Sequence, residues 1–384
     1  MNEDNIIENP KKNKVCVYAI TKNEEKFVDK WYESMKEADS IVVLDTGSTD
    51  RTVELLEKHG ITVKTEIIDP WRFDVARNKA MEMVPDDCNI LLSTDLDEIL
   101  EPGWGNILRE KWVEGKHTRA CYKYTWSHLP DGSDGRVFRY NKIHNRDWEW
   151  RYPVHELLWH KDRQTEDYYD IECLDLWNEM HLHHYPDRTK SRGSYLPLLE
   201  LRAELYKEDW YGLIYLAHEY YYRGHYDKSI ALLNKILVNY ADKYNEVEQA
   251  SCYLFMGDSY RKLCNNAKAK ECYSHATAIE PTYREPYLNK ATILIHEKKY
   301  DEAYDVLTTA IKYSYRHYTW LERDTSWTYE PYDLLTLAAY YSGHKRESIA
   351  YAAIALSFCE NDKRLKDNLR LCIENTSVAE LVQR

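Results

Sequence analysis

Short apolar runs alternate with amphipathic stretches through the first hundred residues of the chain. The runs are typical of buried strands, whereas the stretches place apolar residues at helical spacing, as Phe27, Trp31 and Met35 show. The predicted strands are residues 15–20, 41–44, 61–67 and 89–93, and the predicted helices are residues 23–36, 50–59 and 74–83. This order predicts an α/β domain built on a mostly parallel sheet with helices on both faces.

The pattern changes between residues 116 and 185, where Trp, Tyr and His are dense and strand-like pieces at 120–124 and 136–140 are separated by turns. We interpret this segment as the second half of the same domain, carrying the loops that would contact a substrate. The predicted first domain therefore covers residues 14–190, after a polar tail at 1–13.

Beyond residue 191 the chain is continuously helical in pattern, and the pattern repeats. Small and large residues recur with a period of 34 positions, so that Gly257 and Tyr260 correspond to Ala291 and Leu294. This period, and the recurrence of small and large residues at fixed positions, match tetratricopeptide repeats, in which small residues let paired helices approach closely. An earlier copy begins near Ala217 and a weaker one covers 337–355. Residues 191–384 are therefore predicted to form an all-α repeat domain.

Composition narrows the class of protein. The formal net charge of −13 argues against a general affinity for nucleic acids or anionic membranes. Nine cysteines without a CxxC pair argue against a cysteine-based zinc module, and scattered thiols fit a reducing compartment. The N-terminus lacks the apolar core of a signal peptide, and no run of about 18 apolar residues exists to span a membrane. We expect a cytoplasmic protein.

Residues 95–98, Asp-Leu-Asp-Glu, follow the fourth predicted strand. If the backbone stays extended, Asp95 and Asp97 point the same way at the rim of the sheet, where open α/β folds bind ligands. Paired carboxylates of this kind suit Mg²⁺ or Mn²⁺ bridging the phosphates of a nucleotide. Glu98, which follows directly, suits a structural role.

Two further segments carry candidate chemistry. Asp45 is the first residue past the second predicted strand, and its carboxylate can accept hydrogen bonds from a ribose or base, whereas Asp50 suits an ordinary helix cap. Arg77 lies in the predicted first turn of a helix, an unusual place for a cation. Its guanidinium there is explained if it faces a carboxylate or a phosphate.

These segments together resemble the family 2 glycosyltransferases, which adopt the nucleotide-sugar-binding GT-A fold. The matching segments, in order and spacing, are 17–25, 42–52, 73–80 and 91–100, with a later Val-His-Glu at 154–156 and His-Tyr at 184–185. The resemblance is greatest to the branch that joins this domain to tetratricopeptide repeats.

The resemblance implies a role for individual residues. Asp45 would contact the uracil–ribose part of a UDP-sugar, Asp95 the ribose or the water shell of the metal, and Asp97 the metal itself. Arg77 would help hold the nucleotide, as would Asn23 and Glu24 in the first matching segment. His184 would complete the metal site, although His181 and His183 stand beside it.

The general base is the least determined of these roles. Glu156 is the first candidate and His155 the second, because each can take a proton from an acceptor hydroxyl. Asp147 and Glu149 are further candidates, in an acidic stretch before a Trp. Aromatic residues of the middle segment are candidates for stacking on a sugar or for packing in the core: Trp126, Trp148, Trp150 and Trp159.

The predicted function is the transfer of glucose or N-acetylglucosamine from a UDP-sugar to a protein or peptide, aided by Mn²⁺ or Mg²⁺. The resemblance implies that the transfer inverts the anomeric centre. A histidine among oxygen ligands favours Mn²⁺. The repeats suggest a polypeptide acceptor and suit a homodimer as well. The alternatives are a transferase acting on a surface-glycan or lipid precursor, and a repeat scaffold with an inactive transferase domain.

Overall fold

The computed structural model describes residues 13–129, 132–162, 173–187, 193, 195–207, 209–317, 319 and 321–377. The chain divides into two compact units, Met1–Arg202 and Ala203–Arg384. The predicted polar tail, except for Asn13, lies outside the described residues.

The first unit is built from strands and short helices. Its strands are β1 (Val15–Thr21), β2 (Ser40–Asp45), β3 (Thr62–Thr65), β4 (Ile90–Thr94), β5 (Glu98–Leu100), β6 (Arg119–Thr125), β7 (Val137–His144), β8 (Trp148–Arg151), β9 (Leu157–His160) and β10 (Cys173–His184). Its helices are α1 (Val28–Met35), α2 (Thr52–Lys58), α3 (Phe73–Met81) and α4 (Trp104–Lys111), followed by the first part of α5 (Tyr195–Leu205).

Among the described residues, one sheet of eight strands has the order β3-β2-β1-β4-β7-β6-β10-β5, and β8 pairs with β9 in a separate hairpin. The pairs β3–β2, β2–β1, β1–β4 and β6–β10 are parallel. The pairs β4–β7, β7–β6 and β10–β5 are antiparallel. The predicted mostly parallel sheet is confirmed.

Strand β1 shows how the sheet is covered on both sides, because its residues alternate between two cores. Val15 and Val17 pack in the cluster that contains Trp31 of α1. Cys16 and Tyr18 pack in the other cluster, which contains Ala76 and Ala80 of α3. A strand buried on both faces has a continuous apolar sequence, which is why β1 was predicted closely.

The sheet is curled, and the short link between β4 and β5 requires this. In a flat sheet these strands, four places apart, would be separated by about 19 Å. The four backbone steps from Thr94 to Glu98 reach at most about 14 Å. The edge strand β5 must therefore curve back towards β4, which brings the end of β10 to the same place.

Three helices begin at other residues than predicted. Helix α2 begins at Thr52 with Arg51 as N-cap, rather than at residue 50. Helix α1 begins at Val28 rather than at residue 23, because Asn23 has a positive φ of 54° and its polar groups bond to the loop after β2. Helix α3 begins at Phe73 with Arg72 as N-cap. Arg77 therefore lies in the second turn instead of the first.

The second unit is helical. Its helices are the end of α5, then α6 (Trp210–Tyr222), α7 (Tyr226–Asn239), α8 (Glu246–Lys262), α9 (Asn266–Ile279), α10 (Arg284–His296), α11 (Tyr300–Lys312), α12 (Tyr329–Tyr341), α13 (Lys345–Phe358) and α14 (Lys363–Glu374). Successive helices pack as pairs, such as α8 with α9 and α10 with α11. The predicted all-α repeat architecture is confirmed.

The repeat positions form the interior of these pairs. Ala269, Tyr273 and their counterparts Ala303 and Leu307 are fully buried. A Cβ at Gly257 would lie 2.5 Å from the ring of Tyr273, so the glycine is required by the close approach of α8 and α9. Among the described helices, none is both long and apolar enough to cross a bilayer.

Candidate active site

The ends of β1, β2 and β4 lie side by side because these three strands are parallel neighbours. The residues just beyond or at those ends are Asn23, Asp45 and Asp95. The predicted nucleotide-contacting residues of the first half therefore gather along one edge of the sheet, as carboxyl ends of parallel strands do.

The loops after β1 and β2 are joined by hydrogen bonds. Asn23 Oδ1 accepts from the N–H of Thr49 at 2.7 Å, and its own N–H donates to Ser48 Oγ at 2.9 Å. The N–H of Glu24 donates to Thr52 Oγ1 at 2.7 Å. The two loops thus form one wall, whose conformation depends on Asn23.

Asp45 is buried, and its carboxylate organises the turn that follows it. It accepts from the N–H of Gly47 at 3.1 Å and from the N–H of Ser48 at 3.1 and 3.2 Å. Gly47 has a φ of 104°, and a Cβ there would lie 2.5 Å from Ile67 Cδ1. Asp45 therefore shapes the turn beside the proposed nucleotide site, whatever further contact it makes.

Asp95 and Asp97 lie in a tight turn, closed by a hydrogen bond of 3.0 Å from the N–H of Glu98 to the carbonyl of Asp95. The extended backbone assumed for this segment is wrong. The two carboxylates consequently have different partners, because Asp95 contacts Arg77 and Asp97 faces His184.

Arg77 is buried and joins two carboxylates. Its Nη2 lies 2.9 Å from Asp95 Oδ1 and its Nε lies 2.5 Å from Glu156 Oε1. It also donates to Ser93 Oγ at 3.2 Å and lies over the ring of Trp150. Burial lowers the pKa of this guanidinium, but Asp95 and Glu156 more than offset that effect and raise it. Arg77 faces carboxylates, one of the two surroundings expected for it.

Lys142 of β7 completes the network and was missed by sequence reasoning. Its Nζ lies 2.8 Å from Glu98 Oε1 and 3.1 Å from Asp95 Oδ2. Burial alone would raise the pKa of Asp95, but Arg77 and Lys142 bring it below its usual value. The sequence gives no signal for it, because β7 also contains the polar residues Arg139, Asn141 and His144.

Glu98 is buried, as its expected structural role requires. It binds Lys142, accepts from Tyr124 OH at 3.1 Å and accepts the N–H of Asp95 at 3.0 Å. Burial raises the pKa of Glu98 despite the nearby ammonium of Lys142. These bonds stabilise the turn from its buried side, and the carboxylate of Glu98 does not face a ligand.

His184 is the member of the histidine cluster that faces Asp97. Its Nε2 lies 3.4 Å from Asp97 Oδ2, and its Nδ1 lies 3.1 Å from the carbonyl of Trp126. An Nδ1–H bound to a carbonyl leaves the lone pair on Nε2, which is the arrangement of a metal-binding imidazole. One carboxylate oxygen and one imidazole nitrogen at this separation fit a divalent cation such as Mn²⁺.

Of the candidate bases, Glu156 contacts Arg77, whereas His155 and Asp147 have other partners. Glu156 is mostly buried and is held through Oε1 by Arg77. His155 has a positive φ of 49°, and its carbonyl accepts from Arg202 Nη1. Asp147 is exposed and accepts from Asn145 Nδ2. The structure brings Glu156 together with Asp95, and none of these contacts by itself assigns the base.

The aromatic candidates divide by burial. Trp148 is fully buried and Trp150 is 4% exposed, and both pack with Leu158 in a small core. Trp126 is half-buried, lies beside His184 and is contacted by the guanidinium of Arg136. Of these rings, Trp126 is the one placed to contact a ligand near Asp97.

Known families match both halves of the chain. Residues 16–171 match the family described as glycosyl transferase family 2. Residues 16–171 form a family 2 glycosyltransferase domain. Residues 250–283 match a tetratricopeptide repeat. The family 2 domain supports a glycosyltransferase, and the repeat lies in the second unit.

Comparison with solved structures finds repeat proteins. A thermophilic tetratricopeptide-repeat protein of Thermus thermophilus is 17% identical, with 47% of this chain and 89% of that chain covered and a TM-score of 0.34. A tetratricopeptide-repeat protein from Parabacteroides merdae is 12% identical, covering 47% and 65%, with a TM-score of 0.36. Both TM-scores are below 0.5 and add nothing to the family matches. No curated protein matches the chain.

Proposed function

We propose that this protein transfers glucose or N-acetylglucosamine from a UDP-sugar to a protein or peptide, with inversion and with a divalent cation. The observation that carries the proposal is the pair formed by Asp97 Oδ2 and His184 Nε2, 3.4 Å apart beside the Asp95 turn. The family 2 match over residues 16–171 supports the reaction class.

Asp97 and His184 would hold Mn²⁺ or Mg²⁺, which would neutralise charge on the departing diphosphate. The imidazole ligand favours Mn²⁺. The Trp126 carbonyl keeps the ring of His184 in the required tautomer and orientation.

The wall formed by Asn23, Glu24 and the Asp45 turn would contact the nucleoside. Asp95 remains about one-third exposed, so that a ribose hydroxyl can reach its carboxylate. Arg77 and Lys142 hold that carboxylate ionised and in one orientation. In this arrangement Arg77 acts on the nucleotide through Asp95, and direct contact with a phosphate would need it to release a carboxylate.

Glu156 would accept the proton of the acceptor nucleophile as it attacks the anomeric carbon, with His155 as the second candidate. Arg77 fixes one oxygen of Glu156 and thereby orients the other. The acceptor is proposed to be polypeptide because stacked helical repeats provide extended surfaces of the kind that bind peptides.

The test is release of UDP from UDP-glucose and from UDP-N-acetylglucosamine, with Mn²⁺ and with chelator. Asp97→Ala should lower turnover by at least about 100-fold while the melting temperature stays within a few degrees. Asp87→Ala is the matched control, because Asp87 is an exposed carboxylate paired with Lys14. Wild-type protein that neither binds nor turns over any nucleotide sugar would refute the proposed function, and a fully active Asp97→Ala protein would refute the metal role.

A further inference from the structure

Strand β10 presents histidines on both of its faces. His184 lies on the same face as Leu182, whereas His181 and His183 lie on the opposite face, because side chains alternate along a strand. The register confirms this arrangement, since His181 is opposite Lys123 and His183 is opposite Thr125 on β6. The pair His181 and His183 is therefore separate from the Asp97–His184 site.

Glu101 meets both rings of this second face. Its Oε1 lies 3.1 Å from His181 Nδ1 and 3.0 Å from His183 Nε2. The backbone fixes the encounter, because the N–H of Glu101 donates to the carbonyl of His181 at 3.0 Å. Both imidazoles are mostly buried, with 14% and 17% of their side-chain surfaces exposed.

These separations are those of a metal coordination shell. With metal–donor distances of about 2.0–2.2 Å, neighbouring donors lie roughly 3.0 Å apart in an octahedron and 3.3–3.6 Å apart in a tetrahedron. The observed 3.0 and 3.1 Å lie within a few tenths of an ångström of the tetrahedral separations. Two imidazole nitrogens and one carboxylate oxygen converge as three ligands that leave positions open for water.

The nitrogen of each ring that does not face Glu101 also has a polar partner. His181 Nε2 lies 2.7 Å from Thr125 Oγ1, and His183 Nδ1 lies 3.1 Å from His128 Nε2. Asp134 lies behind both rings, 3.7 Å from each of those nitrogens, and is itself bound by Lys123. Polar partners on the far nitrogen orient an imidazole and favour the tautomer that binds a metal.

His128, Asp134 and His183 form an alternative group of three. A neutral imidazole has a single lone pair, so His183 can serve one of the two groups and not both. We favour the group with Glu101, because one oxygen there is within 3.1 Å of both rings, whereas Asp134 stands 3.7 Å from them.

We propose that Glu101, His181 and His183 bind a second divalent cation of the transition-metal class, with Zn²⁺ as the preferred ion. Imidazole and carboxylate donors suit Zn²⁺ better than Mg²⁺ or Ca²⁺, and two histidines, one glutamate and water are an established zinc ligand set. The ion links β10 to Glu101, just after β5. It thereby stabilises the position of the turn that carries Asp97 relative to the strand that carries His184. The site does not depend on the proposed sugar transfer.

The experiment measures metal content and not activity. The full chain is stripped with chelator, loaded with Zn²⁺, passed through a desalting column and analysed by plasma mass spectrometry. Wild type should retain one more equivalent of Zn²⁺ than the double variant His181→Gln/His183→Gln, and Glu101→Gln should weaken Zn²⁺ binding at least tenfold. His59→Gln is the matched control, since it removes another histidine–carboxylate contact, that with Asp29.

Further measurements separate the two cation sites and detect misfolding. Asp97→Ala should keep the Zn²⁺ held by Glu101, His181 and His183, and Co²⁺ loaded there should show no thiolate charge-transfer band. The proposal is overturned if the double variant, folded by near-ultraviolet circular dichroism, retains all the Zn²⁺ of wild type. It is equally overturned if Asp97→Ala alone removes the ion, or if Co²⁺ reports cysteine ligands. Because Glu101 is exposed, Glu101→Gln tests the proposal even if the double variant fails to fold.

Discussion

Arg77 is the residue on which the candidate site depends most, because one guanidinium serves two carboxylates in a buried position. An uncompensated buried charge is far more costly than a missing contact on the surface. The surrounding residues, Asp95 and Glu156, come from segments that are 61 positions apart in the chain (156 − 95). Arg77 therefore connects the turn after β4 with the segment between β8 and β9.

Replacing Arg77 should test this role. We expect Arg77→Ala to reduce the free energy of unfolding by about 3–5 kcal/mol, because Glu156 and Asp95 both lose the guanidinium and Asp95 retains Lys142. Urea unfolding measures the loss. The control is Arg51→Ala, which breaks an exposed pair with Glu54 and should cost less than about 1 kcal/mol. Equal losses for the two variants would contradict the structural role of Arg77.

His144 predicts a pH dependence. It is fully buried at the end of β7, with Nε2 2.6 Å from Tyr18 OH, and burial lowers its pKa to about 4. In the unfolded chain the imidazole of His144 is protonated below about pH 6.5. In the folded protein it stays neutral until about pH 4. Stability should therefore fall as the pH drops through this window, by up to about 3 kcal/mol from this group.

Urea unfolding at pH 7.5, 6 and 5 measures that slope. His144→Gln should flatten it between pH 6.5 and 4, since glutamine does not titrate. If wild type and His144→Gln lose stability in parallel over this range, His144 is not the group responsible.

At the scale of elements, the pairing of α8 with α9 makes a prediction whose sign is diagnostic. In an open helix, Gly→Ala is stabilising by roughly 1 kcal/mol. At Gly257 the new methyl group would meet the ring of Tyr273, so we expect Gly257→Ala to destabilise by about 1–3 kcal/mol. Thermal unfolding followed by circular dichroism tests this, and a higher melting temperature would show that the helices are less closely packed.

Elements with a strong local pattern could be predicted from the sequence. Strands β1, β2 and β4 were predicted closely because they are buried on both faces and consist of apolar runs. Repeat positions such as Ala269 and Ala303 were predictable because packing recurs every 34 residues.

Features created by distant pairing could not be predicted in this way. Strand β5 has three residues and exists because β10 pairs with it more than eighty positions later. Lys142 was missed because its partners, Asp95 and Glu98, are brought to it only when β7 joins β4.

At the scale of the whole molecule, each unit has its own buried clusters. Those of the second unit draw on helices α6–α13 and include Leu233, Tyr273 and Leu307. Helix α5 crosses the division after Arg202, and Arg202 donates to the carbonyls of Val154 and His155 in the first unit. A cut between the units is therefore better placed after α5 than within it.

We expect a fragment of residues 209–384 to fold alone. It should be strongly helical by circular dichroism and melt cooperatively, because the buried residues of its clusters lie at or after Leu213 and α5 adds the partly buried Ala203. Gly257→Ala should lower its melting temperature as it does that of the full chain. A fragment that melts without cooperativity would show that the repeats need the first unit.

The three-residue link between β4 and β5 has a consequence for how this protein can diverge. The link is short enough to keep β5 near β4 in the curled sheet, and it carries Asp95 and Asp97. The side chain of Asp97, which faces His184, can be exchanged without disturbing the core. The length of the link cannot change freely, because each added residue would let β5 move away from β4 and would move Asp97 away from His184. Evolution can therefore alter what this turn binds far more easily than it can lengthen it.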